Sequence, residues 1–470
     1  MTEHPIEHPQ RSEDSPEAPA ETPTPASPSP PARKQVRLGS ASAFALSAQV
    51  LALVTSFVSS VLIARTLGPA GKGQLSVVQQ VLNILSVVLN MGITTANTYF
   101  IGKDRHGVGE VLGNSFLASI ALGLLGAPLM WLFTTGPLAV VEGIPLAATA
   151  IAIALLPLAL VNQFVQGINV GVGEMKAISR TQMAGTAASI VVILVAWALG
   201  QLTVPVAMLA TTVNVAVTFV LNTTRLFKRY TQRIRIHLAS MREAASYSFK
   251  AYANHLATYL SYRADIIIVG YLAGAETVGI YSIAVMAAEL MWYVPKALAQ
   301  ALLSKSVQAG EQSADMLALR SSRVTAALML VICLVAALLI NPLIRLVYGV
   351  EFLPAVLPFF VLLPGVWLNG ISQVLFANLT AKGLLYPWIA MATAAANVAL
   401  NLILVPRLGA VGAGLSSTLS YGIGAIAIMA MFARATDAKP RDWLLVNARD
   451  ISAVATSARG YLNRGRKRSA

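Results

Sequence analysis

Between residues 41 and 434 the chain reads as a succession of long apolar runs, interrupted at short intervals by turn residues and cations. A helix that crosses a bilayer needs about 20 predominantly apolar residues. The pattern predicts spans at 41–64, 75–100, 110–134, 144–171, 178–199, 203–223, 245–271, 277–303, 320–348, 352–380, 384–406 and 410–434. Junctions such as Leu67-Gly68-Pro69 and Gly136-Pro137 carry turn chemistry. Residues 1–32 are the opposite in character, with nine of the 23 prolines and acids at Glu3, Glu7, Glu13, Asp14, Glu17 and Glu21. Such a segment has too little apolar surface to offset the entropy of ordering. The expectation is a disordered, acidic cytoplasmic tail over 1–37, and not a signal peptide, which starts basic and continues apolar.

Composition agrees with lipid as the solvent. The 470 residues are 56% hydrophobic and only 11% charged, with mean hydropathy +0.67, whereas a soluble domain carries about 25% charged residues. Disulfides are excluded, because Cys333 is the single cysteine. The net charge of +14 points to topology rather than to nucleic acid. With the first residue inside, 29 of the 34 Lys and Arg residues fall on the cytoplasmic side. Only Arg65, Lys72, Arg345 and Arg407 fall outside, and Arg263 lies within a span. That asymmetry predicts a multi-pass inner-membrane protein with both termini cytoplasmic. The organisation expected is a six-helix bundle over 38–224, a basic cytoplasmic linker over 225–244, a second six-helix bundle over 245–434, and a basic cytoplasmic segment over 435–470. The basic linker also suits contact with anionic membrane lipid.

The two halves repeat each other at an offset of about 206 to 210 residues. Gly68-Pro-Ala-Gly-Lys-Gly73 aligns with Gly274-Ala-Glu-Thr-Val-Gly279, Gly173 with Gly383, and Leu199-Gly200 with Leu408-Gly409. Six helices per half give both halves the same orientation, so a pseudo-twofold along the membrane normal is expected. Such repeats place a substrate site at their interface, reached from alternate sides.

Polar residues inside the spans mark the candidate site, since a charge at the centre of a spanning helix costs about 2.5–3.5 kcal/mol on insertion scales. Tyr252, His255, Tyr259 and Arg263 recur at helical spacing, as do Glu289, Trp292, Tyr293 and Lys296. Aromatic rings pack on the C–H faces of sugars, and cations meet hydroxyls or phosphates. Amides complete the stripes: Asn83, Asn90 and Asn97 in the second span, and Gln163 and Gln166 in the fourth and Gln373 in the tenth, where hydrogen bonding between helices is the alternative role. The repeat maps Glu289 onto Asn83 and Lys296 onto Asn90, so one cavity with its ionic part in the second half is expected. Asp265 is open to a coupling or a structural role; Arg65, at a helix end, can snorkel to the interface. His255 has no companion ligands, so no metal site is expected.

Arg65-Thr-Leu-Gly-Pro-Ala-Gly-Lys-Gly73, Ala264-Asp-Ile-Ile-Ile-Val-Gly-Tyr-Leu-Ala-Gly274 with Val278-Gly-Ile-Tyr-Ser-Ile-Ala284, and Tyr348-Gly-Val-Glu-Phe-Leu-Pro-Ala355 together resemble the multidrug/oligosaccharidyl-lipid/polysaccharide exporter superfamily. The branch they are most similar to is that of the bacterial polysaccharide-unit flippases. The resemblance implies an all-α membrane protein of two six-helix bundles in a V around a central cavity. It also implies an undecaprenyl-diphosphate-linked oligosaccharide as cargo, glycan polymerase and export machinery as partners, and H+ or Na+ as a coupling ion. Lipid II flippases of the superfamily carry an Arg-Asp pair in the first helix and two further C-terminal helices. Here Ser59 and Ser60 stand in the pair's place and the spans stop at twelve. Drug exporters often carry an acid in the first helix, and 41–64 has none. A membrane polymerase or glycosyltransferase is the remaining alternative. The longest expected outer loop, 135–143, offers Glu142 as its single acid, too little for acid/base chemistry.

Overall fold

A computed structural model of the protein describes residues 38–230, 234–306, 311–383, 387–436 and 438–444. The expected acidic tail and most of the basic C-terminal segment lie outside these residues. Everything regular among the described residues is helical. The order is α1 (Leu38–Asn90), α2 (Ile93–Gly102), α3 (Val108–Thr134), α4 (Leu146–Gly171), α5 (Met175–Ala198), α6 (Val204–Tyr230), α7 (Leu238–Leu290) and α8 (Tyr293–Ser306). Then follow α9 (Glu311–Val347), a 3-10 turn (Val350–Ala355), α10 (Val356–Ala381), α11 (Pro387–Thr436) and the short α12 (Pro440–Leu444).

Nine of these helices are long and apolar enough to cross a membrane, among the described residues. The difference from twelve expected spans lies in three glycines. Gly68 in α1, Gly274 in α7 and Gly409 in α11 adopt positive φ of 67, 80 and 54°. Each reverses the chain within what is otherwise one continuous helix, so α1, α7 and α11 each supply two spanning arms. Glycine takes this conformation without a Cβ clash. The duplication is visible in the backbone, because Gly68 and Gly274 are 206 residues apart, as are the positive-φ loop glycines Gly143 and Gly349.

Two further breaks were not expected. The second arm of α1 stops at Asn90, with Met91 and Gly92 at φ 47 and 78°, before α2 resumes. The second arm of α7 stops at Leu290 and α8 starts at Tyr293. Pro295 explains the latter, since its ring opposes the carbonyl four residues earlier, at Met291, and it has no N–H to donate.

The kinked turns meet at one end of the molecule, here called the loop end; the opposite end carries the linker. There the halves pack reciprocally. A Cβ on Gly73 would lie 2.6 Å from the Ala275 carbonyl carbon and nearer still to its oxygen. A Cβ on Gly279 would lie 2.8 Å from the Pro69 carbonyl carbon and likewise nearer to its oxygen. The two contacts are repeat mates of each other. Gly270 of α7 is pressed against Val140 and Val141 before α4, while Arg65 of α1 donates to the carbonyls of Leu346 and, at 2.7 Å, Val347 at the end of α9. Arg65 therefore ties the halves together instead of snorkelling. The buried apolar core is continuous across this seam.

Candidate functional site

Beneath the interlocked turns lies a cavity of about 550 Å³, bounded by both arms of α1 and α7 and by α5 and α6. The first arm of α1 contributes Thr55, Ser56, Ser59 and Ser60, and its second arm contributes Ser76, Gln79, Gln80 and Asn83. Thr186 and Ser189 face in from α5, and Thr211 and Asn214 from α6. Gln79 donates to Thr211 across the cavity at 3.2 Å, and Gln80 reaches the Tyr259 hydroxyl at 3.4 Å. This half of the wall is uncharged apart from Lys72.

The other half of the wall is ionic. Arg263, on the first arm of α7, holds Glu289, on the second, through a 2.9 Å Nη2–Oε2 contact. The kink at Gly274 folds the arms together and so brings residues 26 apart into contact. Both side chains stay a quarter to a third exposed to the cavity. Lys72 completes the set from the turn between the α1 arms, with no ion-pair partner among the described residues. Two cations and one carboxylate leave the lining formally at +1. Sequence reasoning assigned Lys72 to the outer surface, because a charge count sees a loop and cannot see it turned back over the cavity.

The predicted residues divide among several locations. Arg263, Glu289 and Asn83 line the central cavity, with Tyr259 bonded at its edge. Asn90, Gln163, Gln166, Tyr252 and His255 line a separate chamber of about 330 Å³ beside the break in the second span. Asn97 is buried in the first bundle, donating to Ser115 at 3.0 Å and to the Phe164 carbonyl at 3.2 Å. Gln373 lines a small void of about 140 Å³ within the second bundle.

The stripe Glu289–Trp292–Tyr293–Lys296 is corrected by the structure. It presupposes one unbroken helix, and the break before Pro295 turns the later residues away. Trp292 is 4% exposed, donates to the Val366 carbonyl, and packs with Tyr262 and Tyr421 inside the second bundle. Tyr293 is half-buried and Lys296 exposed, its amine 5.7 Å from the Trp292 ring; neither lines the cavity. Asp265 is buried as well, accepting from the Tyr281 hydroxyl at 2.6 Å, the Ser417 hydroxyl at 3.4 Å and the Ile266 N–H.

Why the cavity leans toward the first bundle follows from the repeat. The equivalents of Tyr262 and Trp292 are Ser56 and Ser86. The Tyr262 ring fills the second bundle where the Ser56 hydroxyl leaves the first one open, while Ser86 is itself buried. The hydroxyls of α1 and the polar residues of α5 and α6 were missed as site residues; for α5 and α6 the signal was the three-residue spacing of Thr186 with Ser189 and of Thr211 with Asn214 in apolar helices.

The family model described as polysaccharide biosynthesis protein matches residues 39–303, more than half of the chain. The chain belongs to this family. No curated protein matches it. Among solved structures it is similar to the lipid II flippase MurJ in an inward closed conformation, with a TM-score of 0.69 at 13% identity, covering 85% of this chain and 89% of that one. An inward-facing multidrug resistance MATE family transporter of the MOP superfamily superposes with a TM-score of 0.68 at 16% identity, covering 84% and 98%. An outward-facing transporter of that description gives 0.53 at 16% identity, covering 85% and 95%. These likenesses establish the two-lobed all-helical transporter fold.

Proposed function

We propose that this protein is a flippase that moves an undecaprenyl-diphosphate-linked oligosaccharide from the cytoplasmic to the outer leaflet by alternating access, for polysaccharide export. The observation that carries this reading is the central cavity between the repeated halves, where Lys72, set in a wall of hydroxyls and amides, gives the lining a surplus positive charge and the Arg263–Glu289 pair lies in the other wall. Diphosphate oxygens accept charge-assisted hydrogen bonds from Lys and Arg, and sugar hydroxyls exchange hydrogen bonds with amides and hydroxyls. A cation-coupled drug exporter, the same-fold alternative, is disfavoured by that surplus positive charge, which repels a cationic drug. The linker end faces the cytoplasm in this reading, so the interlocked turns form an outer gate that is closed here. Rocking of the halves opens that gate as the inner side closes. A proton or Na+ gradient supplies the drive, with buried Asp265 as the candidate coupling group. A glycan polymerase and export machinery receive the cargo.

The reading is tested in proteoliposomes with lipid-linked glycan extracted from cells that lack the protein. Arg263→Ala and Lys72→Ala are expected to lower translocation at least tenfold while membrane abundance stays near that of the parent. Full transport by both variants, or transport of cationic dyes in preference to the glycolipid, would overturn it.

A further inference from the structure

The chamber at the break in the second span is separate from the central cavity, sharing no lining residue with it. It lies on the seam between the halves, where α1, α4 and α7 meet, and its volume is about 330 Å³. Asn83 of the central cavity and Asn90 of the chamber are seven residues apart on one helix, about 10 Å at 1.5 Å per residue. The chamber is therefore the next polar space toward the linker end.

Its chemistry differs from that of the central cavity, for no Asp, Glu, Lys or Arg lines it. Asn90 donates to Gln163 at 2.9 Å and to Thr94 at 2.7 Å, which fixes two amides and a hydroxyl in one cluster. Tyr252 donates to the Val87 carbonyl at 2.8 Å and also to that of Val88, two of the four carbonyls released where the helix stops. Gln166 and His255 are left facing the chamber with no hydrogen-bond partner among the described residues. The repeat offers an internal comparison. In the second half, Asn369 and Ser372, the mates of Gln163 and Gln166, are buried, and Asn369 is bonded to Tyr262. The contrast is confined to Gln166, whose mate Ser372 is a buried hydroxyl bonded within its own helix.

We propose that this chamber is a glycan subsite, taking uncharged sugar residues of the cargo remote from the diphosphate. The proposal rests on the flippase reading above and adds a division of labour. The central cavity holds the charged linkage, while Gln166, His255 and the Asn90–Gln163 pair read sugar hydroxyls. An amide is both donor and acceptor, which suits hydroxyls that are both as well.

The test measures binding to the detergent-solubilised full chain with two probes. One is the lipid-linked glycan extracted from cells lacking the protein, and the other is the same lipid trimmed by glycosidases to its first sugar. Gln166→Leu combined with His255→Leu is expected to bind the full glycolipid about tenfold more weakly, the effect of two lost neutral hydrogen bonds, and the trimmed one as the parent does. The milder Gln166→Asn should fall between parent and double variant, which guards against a folding defect. Arg263→Ala should weaken both probes. Equal losses for both probes in the double variant, or no loss for either, would overturn the subsite. A parent chain that binds neither probe would instead overturn the flippase reading on which the subsite rests.

Discussion

Gly279→Ala puts the proposed outer gate to a direct test. In the closed state the added Cβ would fall 2.8 Å from the Pro69 carbonyl carbon, closer to its oxygen, and 3.2 Å from the Gly73 nitrogen. Carbon atoms do not approach that closely, and every neighbour involved is backbone, so no side-chain rotation relieves the clash. The turns must draw apart, which loosens the reciprocal contact between Gly73 and Ala275 too. Overpacking of this kind costs about 1–3 kcal/mol. The cost falls on the closed state alone, because the methyl group faces open space once the turns separate. A difference of 1–3 kcal/mol moves a two-state equilibrium by about 5–150-fold. The expected result is a chain that folds, inserts and rests with its outer side open. Ser76→Cys, made in a Cys333→Ser background, reports this through its labelling rate with a membrane-impermeant maleimide applied from outside. The rate should rise at least fivefold on adding Gly279→Ala, and also with the repeat mate Gly73→Ala. Gly422→Ala is the control, since its Cβ would meet nothing closer than 3.8 Å. Unchanged labelling in both gate variants, at normal abundance, would refute the argument that backbone contact at these glycines closes the outer side.

Three further outcomes are expected. Trp292→Ala removes a buried ring from the Tyr262–Tyr421 cluster and should lower stability by about 3–5 kcal/mol, read as a drop in membrane abundance and thermal midpoint; loss of transport in a normally abundant, normally stable variant would return Trp292 to the cavity. Glu289→Gln breaks the ion pair with Arg263 while keeping a hydrogen-bonding group, so transport should slow without changing its dependence on external pH; a flattened pH profile would make Glu289 the coupling group. Reporter fusions after Lys34 and after Arg434 should both signal cytoplasm, and a periplasmic signal from either would break the proposed orientation.

The sequence by itself determined the membrane class, the spanning arms and the repeat. These are local or one-dimensional properties: the length of an apolar run, the spacing of glycines, an offset between two halves. Gly68 and Gly274 were legible because a chain reversal inside an apolar run has few alternatives to glycine. The Arg263 and Glu289 positions stood out because charge inside a span is costly, though the same reasoning also picked out Lys296, which lies outside the cavity. Tertiary structure decided which polar residues share a space. Glu289 had two cations available by sequence, and folding about Gly274 selected Arg263. Lys296 and Trp292 fell out of the cavity because a proline three residues after Trp292 broke the helix on which their common face depended. Lys72 entered it because the turn that carries it folds back against Ala275 and Gly279 of the other half. Helical spacing fixes a face only while the helix is unbroken, and what that face meets depends on contacts some 200 residues away along the chain.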